Sequence, residues 1–87
     1  MLIQSQIEAK LNQTFAPDFL QVDNESHLHN VPKDSESHFK VTLVSQQFEG
    51  KKLLARHRSV MSTLSDELSR IHALALHTLT PDEYLAR

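Results

Sequence analysis

The chain has 87 residues, a formal net charge of −2, 39% hydrophobic residues and no cysteine. This length favours a single domain over residues 1–87, and the lack of cysteine excludes disulfides, thiol nucleophiles and thiolate metal ligands. No apolar run approaches the ~18 residues that a membrane helix needs, and the N-terminus lacks a basic-then-apolar signal pattern. We therefore expect a cytoplasmic protein that makes no membrane contacts.

The first part of the chain predicts a helix, a strand and a loop. Apolar residues recur every four positions, which predicts an amphipathic helix over residues 2–14 with its stripe at Ile3, Ile7, Leu11 and Phe15. Pro17 ends this helix, because proline disfavours the helical conformation of the residue before it. Residues 19–24 predict a strand. Residues 25–37 are rich in Asn, Ser, His, Pro and Asp, and they predict a loop longer than a tight hairpin needs.

The second part predicts two further strands around a long helix. Residues 39–43 alternate between apolar and polar side chains, as a half-buried strand does, and Gly50 marks the turn that follows. A helix is predicted over residues 52–69, with a core-facing stripe of Leu53, His57, Val60, Met61, Leu64 and Leu68. Residues 71–78 predict a third strand. The sequence of residues 80–83, Thr-Pro-Asp-Glu, is a capping box that begins a last helix.

The resulting order of elements is α-β-β-α-β-α. Three strands that each have one apolar face need helices stacked on that face, so the fold class is α+β with two layers. The last helix begins only a few residues before Arg87. We expect either a short C-terminal helix or a C-terminal tail that is truncated after it.

The histidines are the candidate metal ligands. His27 and His29 lie in the long loop, and His72 lies at the start of the third strand, so a shared sheet would bring them to one edge. Imidazole suits iron, zinc and copper. The alternative for each residue is a surface or capping role. The remaining histidines are interpreted as structural. His57 lies in the apolar stripe of the long helix, and His38 and His77 lie at strand ends.

A group of cations is the second candidate site. Residues 31–60 carry a net charge of +3, and the positive charge is concentrated in Lys51, Lys52, Arg56 and Arg58. These residues lie at the start of the long helix, where cations oppose the helix dipole, so they are candidates for contact with phosphate or an acidic partner. The alternative is a solvated helix face. The sequence has no Gly-rich phosphate loop and no paired carboxylates, and we expect no enzymatic activity.

Three stretches together resemble the BolA family over nearly the whole chain. They are ESHLHNVPKDSESHFKV, VSQQFEGKKLLARHRSV and LSDELSRIHALALHTLTPDEY. The resemblance implies an α-β-β-α-α-β fold that is similar to the class II KH domain, with a three-stranded mixed sheet and here a short C-terminal helix.

The resemblance also implies a non-enzymatic partner of monothiol glutaredoxins, with roles in iron–sulfur and iron homeostasis and in stress response. In such a pair a [2Fe-2S] cluster is bridged by the glutaredoxin cysteine, a glutathione thiol and ligands of the BolA-like protein. The matching ligands here are His72 and His29, with His27 as a substitute for the latter. No cofactor is then expected in the isolated chain, whose own state is left open between a monomer and a weak homodimer.

As an alternative, the family implies a DNA-binding transcriptional regulator of morphology and stress genes. Double-stranded DNA would contact the long helix and the turn at residues 48–51. Gly50 has no second glycine three residues away, so the GxxG loop that clamps RNA in KH domains is missing. No aromatic residues interleave with the cations to stack on unpaired bases.

Overall fold

The structure, a computed structural model, describes residues 2–28, 32 and 35–87. The elements in chain order are α1 (Ile3–Phe15), β1 (Phe19–Asn24), β2 (His38–Val44), α2 (Leu53–Thr63), α3 (Ser65–Leu68), β3 (Ala73–Leu79) and α4 (Pro81–Leu85). Single 3-10 turns lie at Ser26–Leu28 and Gln46–Phe48. The predicted α+β class is confirmed, as is the α-β-β-α-α-β order with a short last helix.

The three strands form one mixed sheet in the order β1-β2-β3. β1 pairs with β2 in antiparallel fashion, with Phe19 opposite Val44. β2 pairs with β3 in parallel, with His38 opposite Ala73 at one end and Val44 opposite Leu79 at the other. Because parallel strands start at the same edge of a sheet, the end of the β1–β2 loop lies beside the α3–β3 connection.

The core lies between one face of the sheet and the helices. Alternate residues of the central strand are buried, namely Phe39, Val41 and Leu43. The predicted stripe of α1 meets them, and its members Ile7, Leu11 and Phe15 are buried in the same cluster. Apolar residues recur at every second position of β2 and about every fourth position of α1. Each element therefore has one apolar face, and the two faces pack in one core.

The long helix predicted over residues 52–69 is two helices. α2 ends at Thr63, and Leu64, with φ −99° and ψ 17°, separates it from α3. The buried face agrees with the predicted stripe only in part, since Val60 and Leu64 are buried as predicted and Arg56 is buried in addition. Leu53 and Met61, predicted to face the core, are 59% and 48% exposed.

The first and the last helix each begin with a capping group. The carboxylate of Glu36 accepts the backbone N–H groups of Ile3 and Gln4 at 3.0 and 3.1 Å, which places a negative charge at the positive end of α1. The predicted capping box is present at α4, where Thr80 N donates to Glu83 Oε1 at 2.9 Å and Glu83 N donates to Thr80 Oγ1 at 3.2 Å. No helix in the described part of the chain is both long and apolar enough to cross a membrane.

Candidate nucleic-acid interface and histidine pair

Two imidazoles meet where β2 and β3 begin. His38 is the first residue of β2, and His72 directly precedes β3. Their ring centroids are 5.0 Å apart with an angle of 47° between the ring planes. The parallel register of β2 and β3 places the two rings side by side. The backbone N–H of His72 also donates to Ser37 O at 2.8 Å, which holds the chain before β3 against the chain before β2. His72 is exposed and His38 is half-buried, so the pair is open to a partner.

A network of hydroxyl groups holds this edge of the sheet. The buried Ser26 Oγ accepts the backbone N–H groups of Ser37 and His38, at 2.9 and 3.1 Å. Ser37 Oγ lies 2.8 Å from His38 Nδ1. Asn24 Oδ1, at the end of β1, accepts the Ser26 hydroxyl at 2.6 Å. The start of the β1–β2 loop is thereby fixed to the residues that carry the two imidazoles.

The predicted ligand pair of His29 and His72 stays a prediction, because His29 lies outside the described residues. His27 is exposed on the 3-10 turn that follows β1. The residue that the structure does bring against His72 is His38, which the sequence pattern indicated only as a strand-end residue. A parallel pairing of the second and third strands would have predicted this contact, since both histidines lie at the start of their strands.

The donor set fits a shared metal site and falls short of a complete one. Imidazole nitrogen is a ligand for zinc, iron and copper, so His38 and His72 offer two potential donors at this edge. Among residues 2–28, 32 and 35–87, however, no three His, Asp or Glu side chains are grouped as a metal site would require. Further ligands would have to come from elsewhere.

The candidate cations divide into an exposed set and a buried residue. Lys51, Lys52 and Arg58 are exposed, and within the described residues none of them forms an ion pair. The cations that do pair are Lys10, Arg56 and Arg70. The start of α2 therefore presents positive charge that no carboxylate of the described chain neutralises.

Arg56 is a correction to the predicted contact residues, because it is only 8% exposed. Its guanidinium donates to the carbonyl oxygens of Lys51 at 2.8 Å and Thr78 at 3.1 Å, and to Glu83 Oε1 at 2.6 Å. It also lies over the Phe48 ring, with its central carbon 5.9 Å from the ring centroid. Arg56 therefore joins α2, β3 and α4 inside the fold and does not belong to the exposed set.

Arg56 also sets the charge state of Glu83. Hydrogen bonds from the Arg56 guanidinium, and next from the backbone of Thr80, lower the pKa of Glu83 from 4.5 to about 2. The Glu83 carboxylate consequently remains charged at all pH values near neutrality, and the positive charge of Arg56 is neutralised locally. Among the described residues of this region, the exposed Lys51, Lys52 and Arg58 are therefore the remaining candidates for contact with an anion.

The other two histidines lie away from the pair. His57, predicted to pack in the core, is half-buried in α2, and its Nε2 is buried without a hydrogen-bond partner within the described part of the chain. His77 is exposed on β3. Neither contributes to the edge where His38 and His72 meet.

Comparison with known proteins identifies the relatives of this fold. The family described as BolA-like protein matches residues 11–83. A "DNA-binding transcriptional regulator BolA" of Vibrio cholerae is 58% identical over 84 residues, covering 95% of this chain and 79% of the relative. A protein of the same name from Escherichia coli is 56% identical over 85 residues, covering 97% of this chain and 81% of the relative.

Solved structures agree with the architecture. BolA1 from Arabidopsis thaliana superposes with a TM-score of 0.89 at 37% identity, covering 95% of this chain and 96% of that structure. The solution structure of BolA1 from Mus musculus also has a TM-score of 0.89, at 44% identity, covering 99% of this chain and 71% of that structure.

Proposed function

The chain belongs to the BolA-like protein family, and from this membership we propose that it is a DNA-binding transcriptional regulator. The observation that carries the proposal is the exposed set of Lys51, Lys52 and Arg58, which lies within eight residues and lacks carboxylate partners in the described chain. The names of the relatives from Vibrio cholerae and Escherichia coli support the same function.

Binding by this surface rests on electrostatic attraction to phosphates. Each cation that neutralises a phosphate releases a condensed counterion, so affinity falls as salt concentration rises. The net charge of the whole chain is −2, so attraction must come from a local cluster of cations such as the one at the start of α2. Because exposed aromatic side chains are absent from this set, duplex DNA suits the surface better than unpaired bases do.

The test is fluorescence anisotropy with a labelled DNA duplex at several salt concentrations. The double variant Lys51→Ala/Arg58→Ala should bind more weakly and show a flatter salt dependence. Lys40→Ala removes one positive charge from the central strand and serves as the control for net charge. If the double variant binds duplex DNA as tightly as the wild type, this surface is not the DNA contact.

A second function, co-ligation of a [2Fe-2S] cluster with a monothiol glutaredoxin, is proposed because of the histidine pair. His38 and His72 offer two imidazoles at one edge, with ring centroids 5.0 Å apart. The chain has no cysteine, so the partner and glutathione would provide the thiolates. When bound, such a cluster would supply electron transfer or iron sensing, and two imidazoles in place of thiolates raise its potential. The role of this chain is to present neutral imidazoles on a rigid edge.

Titration with a cluster-loaded monothiol glutaredoxin tests this second function. The visible circular dichroism of the cluster should change on addition of the wild-type chain. His72→Ala should abolish that change, and His38→Ala should alter it. His77→Ala is the matched control, because His77 is an exposed histidine on β3 that lies away from the pair. An unchanged response to His72→Ala would contradict the ligand assignment.

A further inference from the structure

The side of β3 that faces away from β2, here called the β3 edge, is open. Within the described residues β3 pairs only with β2. Successive residues of a strand turn their backbone groups to opposite sides. Ala73 N donates to Ser37 O at 3.1 Å, so the backbone groups of Ala73 point towards β2. Those of Leu74 and Leu76 point away from it, and they form no hydrogen bond with any described residue.

The far end of the β3 edge shows the same direction. Thr78 belongs to the same alternate set as Leu74 and Leu76, and its carbonyl oxygen accepts the buried Arg56 guanidinium at 3.1 Å. Because Arg56 belongs to α2, the helix closes the edge at this point. The open part therefore offers the N–H and C=O groups of Leu74 and Leu76 to another strand.

The sequence of β3 does not protect its open edge. The strand reads Ala-Leu-Ala-Leu-His-Thr-Leu, without Lys, Arg, Asp, Glu, Pro or Gly. Soluble proteins usually place charges, proline or a bulge on an open edge strand, because its unpaired groups are a template for pairing. The opposite edge of the sheet is covered, since Gln4 Nε2 of α1 donates to Val22 O of β1 at 3.0 Å, and β1 carries Asp23. Of these two edges, the β3 edge is the one available for pairing.

An apolar cleft lies beside the β3 edge, between β3 and α2. Its volume is about 250 Å³, and its lining includes Leu53 and His57 of α2 and Leu76 and Leu79 of β3. Leu53 is exposed, and so is Met61, which lies one turn beyond His57 on the same side of α2. The volume is below the roughly 300–1,000 Å³ of small-molecule sites. The cleft therefore suits a side chain of another protein.

The charge around the cleft is positive. Its lining includes Arg87, and the exposed Lys52 directly precedes Leu53. No Asp or Glu of the described chain lines it. The β3 strand of a second copy has no carboxylate to meet these cations, whereas an acidic segment of a partner protein does. Nucleic acid is the less suitable anion, because unpaired strand groups beside an apolar cleft match a peptide backbone.

We infer that the β3 edge docks an extended segment of a partner protein, which adds to the sheet as a fourth strand. The segment has apolar side chains at alternate positions and acidic residues at its ends. Its backbone pairs with Leu74 and Leu76, one apolar side chain enters the cleft beside Leu53, and its carboxylates lie near Arg87 and Lys52. Added strands take their affinity from main-chain hydrogen bonds and their specificity from pockets for alternate side chains. The inference depends on neither of the proposed functions.

Amide hydrogen exchange followed by NMR tests the pairing directly. The probe is the acetylated and amidated peptide Glu-Val-Thr-Val-Thr-Val-Glu. With the peptide at about ten times its dissociation constant, exchange of the Leu74 and Leu76 amides should slow about tenfold. The Ala75 amide is the internal control, because it faces β2 and is already protected in the free chain.

The peptide itself supplies a second control. N-methylation of its valines and N-methylation of its threonines remove backbone N–H groups from opposite sides of the peptide strand. One of these two changes should abolish binding and the other should leave it intact, because only one side of the peptide faces β3. Equal effects of the two changes would overturn strand addition.

Two variants of α2 test the cleft. Leu53→Glu and Ser62→Glu each place one negative charge at an exposed position of the helix, and of the two residues only Leu53 lines the cleft. Leu53→Glu should weaken peptide binding about tenfold or more, and Ser62→Glu should change it less than about twofold. Thermal unfolding of both variants checks that the fold is intact. Equal affinities of the two variants would show that the cleft does not receive the segment.

Three results would assign the β3 edge differently. A peptide that leaves exchange at Leu74 and Leu76 unchanged would overturn the inference. Protection of these amides that grows with the concentration of the chain alone would assign the edge to a second copy. Protection by single-stranded DNA, with none by the peptide, would assign it to nucleic acid and overturn the inference equally.

Discussion

At the scale of single residues, Arg56 explains how a charged side chain can occupy a core position of α2. Its guanidinium reaches two carbonyl oxygens and the carboxylate of Glu83 at once, so its donors are satisfied although the residue is only 8% exposed. The planar, five-donor fork of arginine allows this set of contacts, which the single ammonium of lysine cannot reproduce. Arg56 is therefore a structural residue in a region where its neighbours are candidates for binding.

We predict that Arg56→Ala destabilises the fold by about 2–3 kcal/mol, because the buried carbonyl of Thr78 and that of Lys51 lose their donor. Arg56→Lys should recover only part of this loss. Urea unfolding measures both effects. Arg58→Ala is the control, since an exposed residue without partners should change stability by no more than about 0.5 kcal/mol. Equal stabilities for Arg56→Ala and Arg58→Ala would show that the guanidinium contacts do not stabilise the fold.

Glu83 makes the stability dependent on pH. Its pKa is lowered from 4.5 to about 2 by the hydrogen bonds from Arg56, so the folded state favours the charged carboxylate. The stabilisation is fully present above pH 4.5 and is lost as the pH falls towards 2. The melting temperature of the wild type should therefore fall more between pH 5 and pH 2.5 than that of Glu83→Gln. Parallel curves for the two proteins would contradict the assigned cause.

The pKa of Glu67 is also lowered in the folded state. Glu67 is present both in the wild type and in Glu83→Gln, so its contribution cancels when their melting temperatures are compared. Burial raises the pKa of Glu67, but the hydrogen bond from Lys10, at 2.8 Å, and the charges of Lys10 and Arg70 outweigh this effect and lower the pKa overall. The Lys10–Glu67 pair also attaches α3 to α1.

At the scale of secondary-structure elements, local sequence accounts for most of the boundaries. The spacing of Ile7, Leu11 and Phe15 predicted α1, and the capping box at Thr80 predicted α4. The break at Leu64 could not be predicted from residues 52–69, since no Gly or Pro lies there and Leu64 continues the apolar spacing. Around the break, Leu64 is buried in the core and Glu67 of α3 pairs with Lys10 of α1, and these are tertiary contacts that the local sequence does not reveal.

Gly50 gives a prediction for the connection into α2. A Cβ at this position would meet no atom within 4 Å, so the cost of a substitution arises only from φ +76°. We expect Gly50→Ala to destabilise the fold by about 1–2 kcal/mol. Gly50→Asn should cost less, because asparagine tolerates the left-handed conformation. Thermal or urea unfolding distinguishes the two, and equal losses would mean that side-chain bulk, not the backbone conformation, is responsible.

At the scale of the whole molecule, topology decides which residues can act together. The alternation of apolar residues predicted three strands, but it does not define their register, and the contact of His38 with His72 depends on the parallel pairing of β2 and β3. In the same way, burial of Arg56 follows from the positions of β3 and α4, which the local sequence of α2 does not encode. The charge pattern identified all four cations at the start of the helix, but only these long-range contacts distinguish the buried Arg56 from the exposed Lys51, Lys52 and Arg58.

The fold also separates the two candidate functions in space. The histidine pair lies at the edge where β2 and β3 start, whereas the exposed cations lie at the start of α2. A variant at one site should therefore leave the other function intact. His72→Ala should bind duplex DNA as the wild type does, and Lys51→Ala should give the wild-type change in the visible spectrum of a cluster-loaded glutaredoxin.

The most direct test of DNA binding is the salt dependence of duplex affinity for the wild type and for Lys51→Ala/Arg58→Ala. Because the double variant cannot neutralise the phosphates that these two cations bind, the slope of log affinity against log salt should become shallower by about 2. The double variant should also bind about ten- to a hundredfold more weakly at low salt. Identical slopes for the two proteins, or no binding of duplex DNA by the wild type at low salt, would contradict DNA binding through this surface.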